Sequence, residues 1–109
     1  MTIRVLIVED EKLIRWSLRQ KLSARGYQVT DVENGKAAFE AINAGVFDLI
    51  LLDYKLPDTT GLDILRKVRE TDGDVVVIMM TAYSSIESAV DAIKLGAYDY
   101  ITKPFDMDH

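Results

Sequence analysis

Five side chains in this sequence are ordinary alone and chemically suggestive together: Glu9, Asp10, Asp53, Thr81 and Lys103. Each stands at the end of an apolar run. Glu9 and Asp10 follow residues 3–8, and Asp53 follows residues 49–52. Thr81 follows residues 75–80, and Lys103 comes just after residues 98–101. If these runs are parallel strands, the sheet gathers all five residues at one edge. Three carboxylates at close range repel one another. A hard divalent cation with oxygen ligands relieves that repulsion, and Mg²⁺ suits a site with few carboxylates and several waters. A hydroxyl and an ammonium beside a metal-bound carboxylate match the oxygens of a phosphate. Mg²⁺, Thr81 and Lys103 together would neutralise and position a phosphoryl group in transfer. Taken singly, each residue has a blander explanation. An acidic run after a strand is usually a solvated loop or the start of a helix, and an Asp that ends a strand is usually a turn residue. Convergence on one edge gives the set its meaning.

The elements that must deliver these residues are legible in the pattern. Residues 3–8 are apolar and β-branched, broken only by Arg4, and read as a first strand. From about Glu11 the period changes. Ile14, Leu18 and Leu22 recur every four residues with Arg15, Arg19, Gln20 and Lys21 between them. That is an amphipathic helix, widened by Leu13 and Trp16 and capped at Gly26. Residues 27–32 read as a second strand. Asn34-Gly35 turns the chain into a second helix with Ala38, Phe39, Ile42 and Val46 facing inward, ended by Asn43 and Gly45. Residues 49–52 are continuously apolar, as in a strand buried on both faces, and they end in Asp53. A loop over residues 55–60 leads at Gly61 into a third helix, with Leu62, Leu65 and Val68 on its buried side. Asp72-Gly73-Asp74 is a turn, and residues 75–80 form a fourth strand. Ser84 and Glu87 have capping-box spacing for a fourth helix whose inner face carries Ala89, Val90 and Ile93 and which Gly96 ends. Residues 98–101 are a short fifth strand. Such alternation implies right-handed βαβ units, an α/β doubly wound parallel sheet with helices on both faces. In open α/β sheets, ligands bind outside the carboxyl ends of the strands, which is where Asp53 would sit.

Composition narrows the field. A length of 109 residues is that of one domain, and 49 % hydrophobic residues suffice for a core. The net charge of −5 and the lack of a basic cluster argue against nucleic-acid binding by this segment. With no cysteine there are no disulfides and no thiolate chemistry, and the single histidine is the last residue, His109. The apolar runs are too short to span a bilayer, and the N-terminus has no secretory pattern. A cytoplasmic module without membrane contact is expected.

These residues resemble a known family. The pieces Val8-Glu9-Asp10-Glu11, Leu51-Leu52-Asp53-Tyr54-Lys55-Leu56-Pro57-Asp58-Thr59-Thr60-Gly61, Met80-Thr81-Ala82 and Tyr100-Ile101-Thr102-Lys103-Pro104-Phe105 are similar to the motifs of receiver domains of bacterial two-component response regulators. The resemblance covers essentially the whole chain. It implies a flavodoxin-like five-stranded sheet in the order 2-1-3-4-5. It makes Asp53 the phospho-acceptor and makes Glu9, Asp10, Asp53 and the main-chain carbonyl of Lys55 the Mg²⁺ ligands. Thr81 and Lys103 would contact the phosphoryl oxygens. Tyr100 would be the aromatic switch residue that turns inward when Thr81 moves, and Lys103-Pro104 would be a cis peptide. The implied role is a phosphoryl-accepting switch in a phosphorelay, not an enzyme beyond its own phosphorylation and dephosphorylation. Its partners would be a sensor histidine kinase and an output domain controlling transcription. The wording of residues 80–90 and 96–106 is most similar to receivers of the nitrogen-regulatory, sigma-54-dependent type, which precede an ATPase module and a DNA-binding domain. Lys55 and Tyr83 stand two residues beyond Asp53 and Thr81. Flanking the entrance, Tyr83 would restrict an attacking water.

The sequence departs from the family in one place. A fifth helix normally follows the Lys-Pro-Phe turn, and here four residues follow Phe105. The expectation is a receiver domain over residues 1–109 with the fifth helix missing or truncated, cut from a longer regulator. Leu13 and Trp16 would then be exposed, and a homodimer could form through them. Three rival classes fit the residues less well. A dinucleotide-binding domain needs a Gly-rich turn after the first strand, where this chain has Glu9-Asp10-Glu11. An aspartyl-phosphate phosphohydrolase would carry a second carboxylate two residues after its nucleophile, where this chain has Lys55. A phosphorylation-independent interaction module would have no use for the intact acidic pair, Thr81 and Lys103.

Overall fold

A computed structural model describes residues 2–71, 73–81 and 86–102, leaving aside the side chains of residues 86–88 and 102. Among the described residues, strands and helices alternate. The order is β1 (Arg4–Val8), α1 (Lys12–Ala24), β2 (Gln28–Val32), α2 (Gly35–Ala44), β3 (Leu49–Asp53), α3 (Gly61–Thr71), β4 (Val76–Thr81), α4 (Ile86–Lys94) and β5 (Asp99–Thr102). The strands form one sheet in the order β2-β1-β3-β4-β5, and every pairing is parallel. This is the doubly wound, flavodoxin-like order that the family resemblance implied. The chain leaves β1 for β2 on one side and returns to β3 on the other, so the order reverses between β1 and β3.

The continuous apolar runs become the sheet's centre. Val5, Leu6, Ile7 and Val8 are fully buried, and so is Leu52. Side chains on alternate strand positions go to opposite faces. Leu6, Val8, Ile50, Leu52, Val77 and Met79 join a core shared with α2, α3 and α4. Val5, Ile7, Leu51 and Met80 face the other way and meet Leu18 of α1, with Ile14 and Leu22 packed alongside. A two-sided sheet cannot alternate polar and apolar residues, which is why these strands read as unbroken hydrophobic runs.

Helix ends follow local chemistry. Asn34 caps α2, its side chain accepting from the Ala37 N–H at 2.8 Å. The chain leaves α1 through Gly26, whose φ of +89° is open to glycine without strain and whose N–H donates to the Ser23 carbonyl at 3.0 Å.

Three inward-facing expectations need correction. Val46 is exposed, and its neighbour Phe47 is buried instead. The helix stops at Ala44, and Gly45 is fully extended, so the period of 3.6 no longer applies at Val46. The extended chain turns Phe47 inward, where the Arg4 guanidinium lies 5.5 Å from its ring centroid. Val90 and Ile93 are also exposed, while Ala92 of the same helix is fully buried. Here α4 approaches the sheet through a small residue, which leaves the larger side chains on its flank. On α3 the buried set is Ile64, Leu65 and Val68, and Leu62 is only partly covered. Leu13 and Trp16 are exposed, as anticipated. The capping pair Ser84 and Glu87, and everything expected of residues 103–109, lie outside the described residues or side chains.

Candidate functional site

Among the described residues, the buried polar or charged side chains are Glu9, Asp53 and Thr81. All three stand at the carboxyl edge of the sheet. Glu9 follows the last residue of β1, Asp53 ends β3 and Thr81 ends β4. Burying a polar group is costly unless it is matched by a partner, so such groups concentrate where they serve a purpose. The pairing of β1 with β3 sets Val8 opposite Leu52, and the pairing of β3 with β4 sets Asp53 opposite Met80. Three sequence-distant segments are thereby brought side by side.

The carboxylates converge. One oxygen each from Glu9, Asp10 and Asp53 lie within 4.8 Å of one another, with Glu9 and Asp53 buried and Asp10 exposed. A cluster of two enclosed carboxylates and one open to solvent is an all-oxygen donor set of the kind that holds a hard divalent cation while leaving room for water. The donor chemistry therefore fits Mg²⁺.

The surrounding backbone holds this arrangement in place. The Glu9 side chain accepts from the Glu11 N–H at 3.0 Å, which ties its carboxylate to the turn between β1 and α1. Arg15 on α1 donates to the Glu9 main-chain carbonyl at 2.9 Å and to Asp31 at 3.1 Å, tying the ends of β1 and β2 to the helix. Arg19 also pairs with Asp31. On the other side, the Tyr54 N–H donates to the Met80 carbonyl at 2.8 Å, so the pairing of β3 with β4 continues one residue past Asp53.

The loop after Asp53 is closed tightly. Lys55 and Thr60 form an isolated antiparallel bridge, and the Leu56 N–H donates to the Thr59 carbonyl at 3.1 Å. Gly61 opens α3 with its N–H on the Tyr54 carbonyl at 2.6 Å. The Asp58 carboxylate reaches across to α2. One oxygen accepts from the Gly35 N–H at 2.7 Å and the other from the Lys36 N–H at 3.0 Å. Those two donors, Gly35 first, hold the Asp58 carboxyl below its ordinary range, against a smaller opposing effect of desolvation. From the sequence, Asp58 is placed only within the loop over residues 55–60, with no partner on α2.

Of the expected site residues, the structure brings Glu9, Asp10 and Asp53 together and sets Thr81 on the neighbouring strand end. Tyr100 lies on β5 in register with Met79 and packs, partly buried, against the core. Lys103, the Lys103-Pro104 bond and Tyr83 fall outside the described residues.

Comparison with known proteins is consistent with this geometry. The family model of the response regulator receiver domain matches residues 5–109. The transcriptional regulatory protein YkoG of Bacillus subtilis is 43 % identical over 104 residues, covering 95 % of this chain and 46 % of YkoG. The DNA-binding transcriptional regulator NtrC of Escherichia coli is 38 % identical over 104 residues, 95 % of this chain and 22 % of NtrC. The chain thus spans about half or less of the length of these relatives. The nitrogen-regulatory kind expected from the sequence is among them, beside regulators of other kinds. A crystal structure of a Burkholderia pseudomallei response regulator with a phosphorylated aspartic acid, calcium ion and citrate superposes with a TM-score of 0.91 at 29 % identity, covering 97 % of this chain and 62 % of that one.

Proposed function

This chain belongs to the response regulator receiver domain family, and we propose that within it Asp53 is the residue that accepts the phosphoryl group. The observation that carries this reading is the convergence of Glu9, Asp10 and Asp53, with their oxygens within 4.8 Å of one another. Glu9, Asp10, Asp53 and the Lys55 carbonyl would hold Mg²⁺, which when bound offsets charge on the phosphoryl oxygens. An Asp53 carboxylate oxygen attacks phosphorus. The bond from phosphorus to the donor breaks, releasing the histidine imidazole of a sensor kinase or, with a small donor, acetate. Water attacking the aspartyl phosphate later releases inorganic phosphate and restores the carboxylate. These self-directed steps are the extent of its catalysis.

The readout follows from charge. Phosphorylation adds negative charge and strong acceptor oxygens at the sheet edge. Thr81, buried at the end of β4, gains an acceptor there and moves toward it, with Lys103 as the cationic contact from the chain beyond β5. Tyr100 then turns inward, which alters the face made by α4 and β5. This is a two-state equilibrium biased by a local charge event. In a full-length cytoplasmic regulator the altered face controls an output unit, an ATPase with a DNA-binding module, and through it transcription. The names of YkoG and NtrC as transcriptional regulators support that direction. A phosphoaspartate and a cation in the Burkholderia pseudomallei protein support the chemistry.

Acetyl phosphate with Mg²⁺ tests the reading. Wild type takes one phosphoryl group per chain, and Asp53→Asn takes none. Equal labelling of the two proteins would refute the assignment.

A further inference from the structure

The β3–α3 loop carries one expected cation ligand as main chain, the Lys55 carbonyl, and a main-chain ligand is only as well placed as its loop. That loop is anchored from outside. Asp58 accepts from two consecutive N–H groups at the start of α2, Gly35 at 2.7 Å and Lys36 at 3.0 Å, across 22 or more residues of sequence. These amides begin a helix and have no acceptor within it, so a carboxylate is well matched to them in hydrogen bonding and in helix dipole. A second contact lies on the same seam, beside the carboxylate. Gly35 is buried, and a Cβ at that position would collide with the Thr59 methyl group. The loop and α2 are therefore in close contact at Gly35, and Asp58 closes the contact with hydrogen bonds. Within the loop, the Lys55–Thr60 bridge and the bond from Leu56 N–H to the Thr59 carbonyl pass that anchorage back toward Lys55.

We propose that Asp58 is a positioning residue for the cation site: by clamping the loop to the first turn of α2, it holds the Lys55 carbonyl where it completes the ligand set of Glu9, Asp10 and Asp53. This rests on the reading of those residues as Mg²⁺ ligands. Outer groups that orient metal ligands commonly change affinity by roughly 10–100-fold when removed, and an exposed clamp acting through a loop belongs at the lower end of that range.

The test is Mg²⁺ affinity by titration calorimetry on wild type, Asp58→Ala, Asp58→Asn and Gly35→Ala, with thermal stability measured beside it. Asp58→Ala should weaken Mg²⁺ roughly tenfold. The rate of labelling by acetyl phosphate should fall at low Mg²⁺ and recover when Mg²⁺ is saturating. Asp58→Asn keeps one carbonyl acceptor without the charge but turns an NH2 toward the second of the two N–H donors, so it should recover only part of the affinity, between wild type and Asp58→Ala. Gly35→Ala keeps the Asp58 side chain but crowds its carboxylate and pushes Thr59 away, and it should also weaken Mg²⁺; it decides the matter if Asp58→Ala does not fold. A lower melting temperature with unchanged Mg²⁺ affinity in Asp58→Ala and Gly35→Ala would overturn the proposal. If wild type binds Mg²⁺ and labels on Asp53 while the variants bind equally well, only the clamp fails. If wild type binds no Mg²⁺, the reading of the site fails and the clamp fails with it.

Discussion

Gly61 and Asp53 are in direct backbone contact: the carbonyl oxygen of Asp53 occupies the space that a Cβ on residue 61 would need, with the Met79 methyl closing the far side. The helix that follows the acidic strand therefore starts against the main chain of the residue proposed to carry the chemistry. Glycine is required here for close approach.

Gly61→Ala should cost about 1–3 kcal/mol, because the clash is with backbone that cannot rotate away. It should also slow phosphorylation of Asp53 by shifting the end of β3. Gly73→Ala is the control. Nothing lies within 4 Å of a Cβ there, and its effect should stay within about 0.5 kcal/mol. Urea unfolding of both variants checks the contrast, and equal effects would contradict it.

Burial reverses the expectation for two apolar residues, since the sequence reading placed Val46 inward and left Ile64 off the buried side of its helix. Ile64 is fully buried and Val46 is 67 % exposed. Ile64→Ala should destabilise by about 2–5 kcal/mol through lost burial and a residual cavity. Val46→Ala should change stability by less than about 0.5 kcal/mol. Chemical denaturation of the two variants measures both, and a large loss in Val46→Ala would contradict the end of α2 at Ala44.

Acid should release the Asp58 clamp. Its carboxyl lies below the ordinary value of 3.8 in the folded chain because the Gly35 and Lys36 N–H groups favour the charged form. A folded pKa depressed in this way adds stability above the unfolded pKa, and that stability is lost as pH falls through the folded pKa. The stability difference between wild type and Asp58→Asn should therefore be constant at neutral pH and shrink below 3.8. Because Asp58 is exposed, the effect should also weaken with salt. A difference that grows on acidification would contradict the sign.

What the sequence made legible was whatever depends on short-range pattern or on topology. Residues 49–52 announced a strand covered on both faces, and Asp53 at its end needed only parallel pairing to meet Glu9 and Asp10. The inward positions on α2 and α4 were harder. Periodicity places Val46, Val90 and Ile93 on a buried line only if the helix continues and its axis faces the sheet through its largest residues. The end of α2 at Ala44 breaks the first condition, and the close approach at Ala92 breaks the second. The Asp58 clamp was invisible for another reason. Pro57-Asp58 has the composition of a turn, and nothing in it points to partners 22 and 23 residues earlier.

The central claim is that the carboxylate cluster makes Asp53 a Mg²⁺-dependent phosphoryl acceptor. The most direct measurement is peptide mass spectrometry after acetyl phosphate treatment with Mg²⁺ and borohydride trapping, which reduces an aspartyl phosphate to homoserine at its own position. The account predicts homoserine at position 53 and nowhere else, formed with Mg²⁺ and lost with a chelator. Homoserine at another aspartate, or none at position 53 in protein that binds Mg²⁺, would contradict it.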